Sequence, residues 1–285
     1  MVSRRLRLGL AVLGAAALIA AALPVLGRLM GRHRLRFPYL GHPIAESAYA
    51  ALAAKPGWAR TKLQVAPDVR LSGLLRRPLS EHAPWVVFYP GNDESQLRMG
   101  QQFLSRLAGE TEWGLAVFAY RGYDSSDGKS DLSALSADAP EIFLQLCQVE
   151  HVEPARLHII GFSIGGHFAV HAARGVAARG KPAASLTLLA SVDDIVMFTR
   201  SPWEKLSAGD DYQTRPFLAE VPAPVLVLQG RDDAALQGAG QGRAIATTLG
   251  KRAEYIELPG VGHEGLLEDT TALAAVRKFV NEHKK

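Results

Sequence analysis

Six short segments, apolar almost throughout, recur along this chain with helix-length segments between them. They are residues 85–89, 114–120, 157–161, 185–190, 224–229 and 253–258. A strand with one face in water alternates apolar and polar residues, whereas a strand covered on both faces does not. The absence of alternation therefore predicts strands of a mostly parallel sheet. Helical stretches are expected between and after them, at about residues 95–108, 134–149, 163–178, 236–249 and 268–283. Strand–helix alternation of this kind specifies an α/β fold, an open sheet with helices on both faces. A leading hairpin is expected from residues 59–65 and 69–78, with Pro67-Asp68 at its turn. The segment 192–221 breaks the rhythm and carries Phe198, Trp203, Tyr212 and Phe217. A connection that long reads as a lid or binding loop.

The N-terminus has a different character. Residues 8–27 are uncharged and predominantly apolar, with arginines on both sides. At roughly 1.5 Å per residue, a helix of that length crosses a bilayer core. The expectation is a membrane anchor in residues 1–36, with the catalytic domain exported. The alternative is a cleaved export signal, for which Ala20-Ala21-Ala22 supplies a small-residue site and after which the domain would be secreted. Residues 37–57 read as a linker and a short helix, and residues 58–285 as one domain with a lid at about 192–221.

The net charge of +4 and pI near 9.2 have the same origin, because residues 1–36 hold seven arginines and no acidic residue. The rest of the chain is slightly acidic, which argues against a nucleic-acid-binding body. The single cysteine, Cys147, excludes an internal disulfide and a thiolate metal cluster.

In open α/β sheets the chemistry gathers at the carboxyl ends of the strands. After the third segment comes Gly161-Phe162-Ser163-Ile164-Gly165-Gly166, a G-x-S-x-G sequence at a strand-to-helix junction. Such a turn lifts the serine hydroxyl clear of the sheet, and the helix start behind it favours negative charge. A serine hydroxyl needs a base to take its proton. Two segments later, Gly230-Arg231-Asp232-Asp233 puts carboxylates past a strand end, and after the next, Gly262-His263 puts a histidine in a glycine-rich loop. His263 would be the base, and an aspartate would hold its tautomer. Asp233 is favoured as that acid, with Asp232 as the alternative. The N–H of Ile164 and the N–H of Asn92, in the turn Pro90-Gly91-Asn92-Asp93, are the candidate oxyanion donors.

The chain at this point resembles the alpha/beta-hydrolase superfamily. More narrowly, it is similar to the membrane-anchored or secreted branch known as serine aminopeptidase-like or alpha/beta-hydrolase-domain proteins. The residues that carry the resemblance are Tyr89-Pro90-Gly91-Asn92, the stretch from Ala119-Tyr120-Arg121-Gly122-Tyr123-Asp124 to Gly128, the Ser163 turn, the Gly230 to Asp233 turn and Gly262-His263. The resemblance covers nearly all of the chain after residue 58. It implies an alpha/beta-hydrolase fold and a Ser-His-Asp triad in which Asp233 is the acid. It also implies that the Tyr-Arg-Gly-Tyr stretch shapes the loop beside the pocket. Two positions depart from the family's pattern: Pro90 stands where histidine is usual, and Asp124 where glycine is usual. Some relatives take their acid from the site of Asp193 and Asp194.

The expected activity is that of a serine hydrolase acting on a carboxylic ester, with a thioester or lipid-like acyl group also in view. The alternatives are an aminopeptidase-like amide hydrolase and a catalytically inactive binding protein on the same fold. No cofactor, nucleic acid or obligate protein partner is expected; the expected partners are an acyl substrate and, through residues 8–27, a lipid bilayer. His167 and His171 have the spacing of a metal pair, but no third ligand is evident and packing is the preferred reading.

Overall fold

A computed structural model describes residues 44–92, 95–198 and 212–284. The segment 8–27 with its arginine flanks, and residues 199–211 of the lid segment, lie outside the described residues. Among those described, no helix is long and apolar enough to cross a membrane.

The sheet has eight strands: β1 (Trp58–Ala66), β2 (Val69–Arg76), β3 (Trp85–Tyr89), β4 (Gly114–Phe118), β5 (Leu157–Phe162), β6 (Leu186–Leu189), β7 (Val225–Gly230) and β8 (Ala253–Leu258). Their order is β1-β2-β4-β3-β5-β6-β7-β8. β1 and β2 pair antiparallel, as do β2 and β4, and every other pair is parallel. The apolar segments account for this arrangement. β3 to β7 are buried at every residue, as strands covered on both faces must be. β1 and β8 form the edges, and their residues alternate with solvent or are only partly covered.

The helices are α1 (Glu46–Ala53), α2 (Gln96–Ala108), α3 (Leu132–Val149), α4 (Ile164–Ala178), α5 (Gly240–Leu249) and α6 (Thr270–Glu282). Side-chain caps fix three of their starts. Ser95 accepts the N–H of Arg98, Asp131 that of Ala134 and Asp269 that of Ala272. α2 packs beside α6, where Arg277 donates to the carbonyl of Leu107 at 2.6 Å. α3 packs beside α4, where Arg179 pairs with Glu141 at 2.6 Å. The short helix α1 is joined to the body: buried Tyr49 donates to the carbonyl of Gly73 at 2.8 Å, and Gln101 donates to that of Leu52 at 2.5 Å.

The strand order locates the functional crevice. β3 is flanked by β4 on one side and β5 on the other, so the chain leaves β3 in one direction and β5 in the opposite one. In open α/β sheets ligands bind outside the carboxyl ends of the strands at such a reversal. The loops that border it are Pro90-Gly91-Asn92 after β3 and Ser163 after β5.

Candidate active site

Ser163 joins β5 to α4 with φ 55° and ψ −126°, a backbone conformation that costs a non-glycine residue about 1–3 kcal/mol. The surroundings enforce it. The Ser163 N–H donates to the carbonyl of Leu189 at 3.0 Å, and its own carbonyl accepts the N–H of Gly166 at 3.0 Å and of Val192 at 3.1 Å. A side chain at Gly165 would collide with the carbonyl oxygens of Tyr89 and Pro90. The glycine thus lets α4 start directly against the end of β3.

His263 follows β8 and spans the gap between the other two residues. Its Nε2 lies 2.9 Å from Ser163 Oγ and its Nδ1 lies 2.8 Å from Asp233 Oδ2. Asp233 is fully buried. Burial by itself raises its carboxyl. The hydrogen bonds from His263, the Leu236 N–H and the Gln229 amide, with the positive charge His263 carries when protonated, together outweigh that and hold the group below the usual aspartate range. An ionised carboxylate only accepts, so the neutral imidazole carries its proton on Nδ1 and presents a bare Nε2 to the serine hydroxyl. The ring is seated on Phe162, with centroids 4.8 Å apart.

Of the two adjacent carboxylates, Asp233 meets the histidine. Asp232 is exposed, and its backbone N–H donates to Val261 at 3.1 Å. Asp193 points elsewhere, to Arg215 at 2.5 Å. Ile164 is the first residue of α4, where a helix leaves its N–H groups without intrahelical partners. Asn92 lies in the loop that abuts the serine; a Cβ placed on Gly91 would stand 3.3 Å from Ser163 Cβ.

The tyrosine-rich stretch after β4 holds that loop. Tyr120 donates to the carbonyl of Pro90 at 2.9 Å and Tyr123 to Asn92 Oδ1 at 2.7 Å. Asp124, standing where the resemblance leads one to expect glycine, has φ 45°, a left-handed conformation that aspartate tolerates better than most residues. Its carboxylate accepts the N–H of Leu97 at 3.0 Å in the first turn of α2. His167 and His171 pack against each other with ring centroids 4.6 Å apart and planes tilted by 54°, and His167 Nδ1 lies 3.0 Å from Thr214 Oγ1. Among the described residues no group of three or more metal-capable side chains occurs.

Sequence reasoning overlooked Gln229, whose Nε2 donates to Asp233 Oδ2 at 2.9 Å. The signal was available: a lone amide at the end of the otherwise apolar β7 segment, completely buried. A buried amide that ends a strand must find partners nearby.

No family model matches the sequence. Over 180 residues the chain is 34% identical to an uncharacterised protein of Mycobacterium tuberculosis, matched in two strains; the match covers 59% of this chain and 61% of that protein. The chain therefore spans about three fifths (61%) of the curated relatives it matches. An alpha-beta hydrolase of Vibrio vulnificus superposes with a TM-score of 0.68 at 19% identity, covering 90% of this chain and 92% of that one. An esterase of Pyrococcus furiosus does so at 0.66 and 14%, covering 86% and 98%. Carboxyl esterase 2 of the fungus Tuber melanosporum follows at 0.61 and 16%, covering 81% and 88%. With a mostly parallel eight-stranded sheet and a strand reversal at β3 and β5, matched along most of its length by these structures, the chain has the alpha/beta-hydrolase fold.

Proposed function

We propose that this protein is a serine hydrolase that cleaves a carboxylic ester through an acyl-Ser163 intermediate. The observation that carries the reading is the unbroken contact series from Asp233 through His263 to Ser163, at 2.8 and 2.9 Å. His263 Nε2 takes the proton of the serine as its oxygen attacks the acyl carbon, and returns it to the leaving alkoxide. Asp233 stabilises the imidazolium formed between those steps. The N–H groups of Ile164 and Asn92 receive the developing oxyanion. Water then repeats the sequence on the acyl-enzyme and releases the acid.

An apolar acyl group is the proposed substrate class. Ile195, Val196, Met197 and Phe198 form a short apolar 3-10 turn just after β6, and Phe198 is half exposed there. An apolar stretch in a connection read as a binding loop favours a greasy substrate. The esterases among the structural neighbours have the same fold, and the name esterase is carried to this chain only as part of this proposal. Residues 8–27 are proposed as a membrane anchor that keeps the domain near lipid, with export of the domain as the accompanying topology. Release of the full chain by alkaline carbonate, or a mature N-terminus near residue 23, would refute the anchor.

Labelling by a fluorophosphonate probe tests the mechanism. Wild type is expected to label and Ser163→Ala to remain unlabelled; equal labelling of both refutes the assignment. Turnover of p-nitrophenyl acyl esters in preference to aminoacyl anilides is expected, and the reverse preference would replace the esterase by an amide hydrolase.

A further inference from the structure

The two stems of the lid segment meet directly behind Ser163. Val192, leaving β6, donates its N–H to the Ser163 carbonyl at 3.1 Å. The carbonyl of Val192 accepts the Thr214 hydroxyl of the returning stem at 2.7 Å. That hydroxyl has only one proton and a carbonyl can only accept, so Thr214 Oγ1 receives the Nδ1–H of His167, 3.0 Å away. His167 lies on α4, one helical turn beyond Ser163. The bonds thus form a closed ring from Ser163 along α4 to His167, across to Thr214 and Val192, and back to Ser163. His167, Thr214 and Val192 are all fully buried. The same two stems are joined beside the ring by Thr214 N–H on the Asp193 carbonyl at 2.7 Å and by the Asp193–Arg215 pair.

The ring acts on one particular peptide unit. The Ser163 carbonyl and the Ile164 N–H belong to the same planar trans amide and point in opposite directions. Fixing the carbonyl therefore aims the N–H. Hydrogen bonds accepted by the carbonyl also polarise the amide and strengthen its N–H as a donor. Two donors hold that carbonyl, Gly166 from the nucleophile's own turn and Val192 from the lid stem.

We propose that Thr214, backed by His167, is a positioning residue for catalysis: it fixes the carbonyl of Val192 and so restrains that residue's backbone, whose N–H, on the other side of the same Cα, orients the Ser163–Ile164 amide as an oxyanion donor. This rests on the serine-hydrolase reading above. A donor that serves the transition state affects kcat, whereas one that only binds substrate affects KM.

The experiment compares full-length wild type with Thr214→Val, which keeps the shape and loses the hydroxyl, and Thr214→Ser, which keeps the hydroxyl. Rates on a p-nitrophenyl ester are normalised to sites titrated with the fluorophosphonate probe. Thr214→Val is expected to lose roughly tenfold in kcat with KM within about twofold, and Thr214→Ser to regain most of it. A Thr214→Val protein with wild-type kcat per titrated site, whatever its melting temperature, overturns the proposal, as does a rise in KM alone. Should Thr214→Val fail to fold, His167→Asn, which keeps a donor near Nδ1, against His167→Leu, which removes it, gives the same comparison. A wild type inert to both probe and ester refutes the hydrolase reading and this inference together; an active wild type with an indifferent Thr214→Val refutes this inference alone.

Discussion

The Tyr123 hydroxyl donates to Oδ1 of Asn92 at 2.7 Å and so connects the loop after β4 to the loop after β3. The sequence resemblance marks Tyr120-Arg121-Gly122-Tyr123 only as a stretch that shapes the pocket. The structure adds a contact to that role: the Asn92 side chain is held by Tyr123, so the loop whose backbone N–H is proposed as an oxyanion donor is tied to the loop after β4. Tyr123→Phe removes one hydrogen bond, worth about 1 kcal/mol, and leaves the packing of the ring intact. The expected result is a roughly three- to tenfold fall in kcat for a p-nitrophenyl ester with little change in melting temperature. Unchanged kcat would show that Asn92 is held well enough without the tyrosine.

Asp233→Asn should be far more damaging. Both carboxylate oxygens accept, Oδ2 from His263 and Gln229 and Oδ1 from the Leu236 N–H at 2.9 Å. In either orientation an amide sets one N–H against another. If its NH2 group faces His263, the ring proton moves to Nε2 and the base toward Ser163 is lost. Steady-state kinetics should show a loss of about 10³–10⁴ in kcat. Asp232→Asn, at an exposed side chain, should stay within about twofold. Equal losses in the two variants would refute the assignment of the acid.

Most of the architecture was legible because the central strands are nearly continuous apolar segments, broken only by His158 in β5, Thr187 in β6 and Gln229 in β7. β3 and β8 have the boundaries expected from sequence. The deviations have local causes. The segment expected at 114–120 ends as a strand at Phe118: Ala119 N–H still reaches Ser72 of the neighbouring strand β2 at 2.9 Å, but Tyr120 N–H turns away to the Gln96 side chain at 2.8 Å. Helix α5 begins at Gly240 and not near 236, because residues after Asp233 turn back on it: Leu236 N–H caps the carboxylate, and Gln237 and Gly238 take positive φ. Ser163, Asp233 and His263 could be read because each follows a strand end. Gln229 left a signal, a lone amide in an otherwise apolar strand, that was passed over; Thr214 and His167 left none, since their roles depend on which buried polar atom faces which, and no spacing rule encodes that.

Gly165→Ala tests the packing behind the serine turn. A methyl group there would overlap the Tyr89 and Pro90 carbonyls, which belong to backbone and cannot swing aside as a side chain can. The end of β3 or the start of α4 must shift. A loss of roughly 1–3 kcal/mol or more, read from the denaturant midpoint, is expected together with loss of probe labelling. A stable, fully labelled variant would show that the approach of α4 to β3 is more compliant than the geometry indicates.

Acid sensitivity should begin well above the carboxylate range. Burial, with a smaller contribution from His283, pushes His158 from its ordinary 6.5 down to about 3. Burial and then Arg174 push His171 down to about 4, and burial and then His171 push His167 well below 6.5. In the unfolded chain all three take up protons as the pH falls through about 6.5, whereas in the native protein they stay neutral until much lower. Their contribution is complete above that value and declines as the pH falls from it toward the native values, by up to about 1.4 kcal/mol per histidine per pH unit. Asp233, whose native value is depressed, adds its own loss only at lower pH, as the solution is acidified through the carboxylate range. Urea midpoints measured at pH 7, 6 and 5 should therefore fall steeply between 6 and 5. His171→Phe, at the least buried of the three, should flatten that slope. A midpoint constant from pH 7 to 5 would mean that these rings are protonated in the native protein without penalty, contrary to their burial.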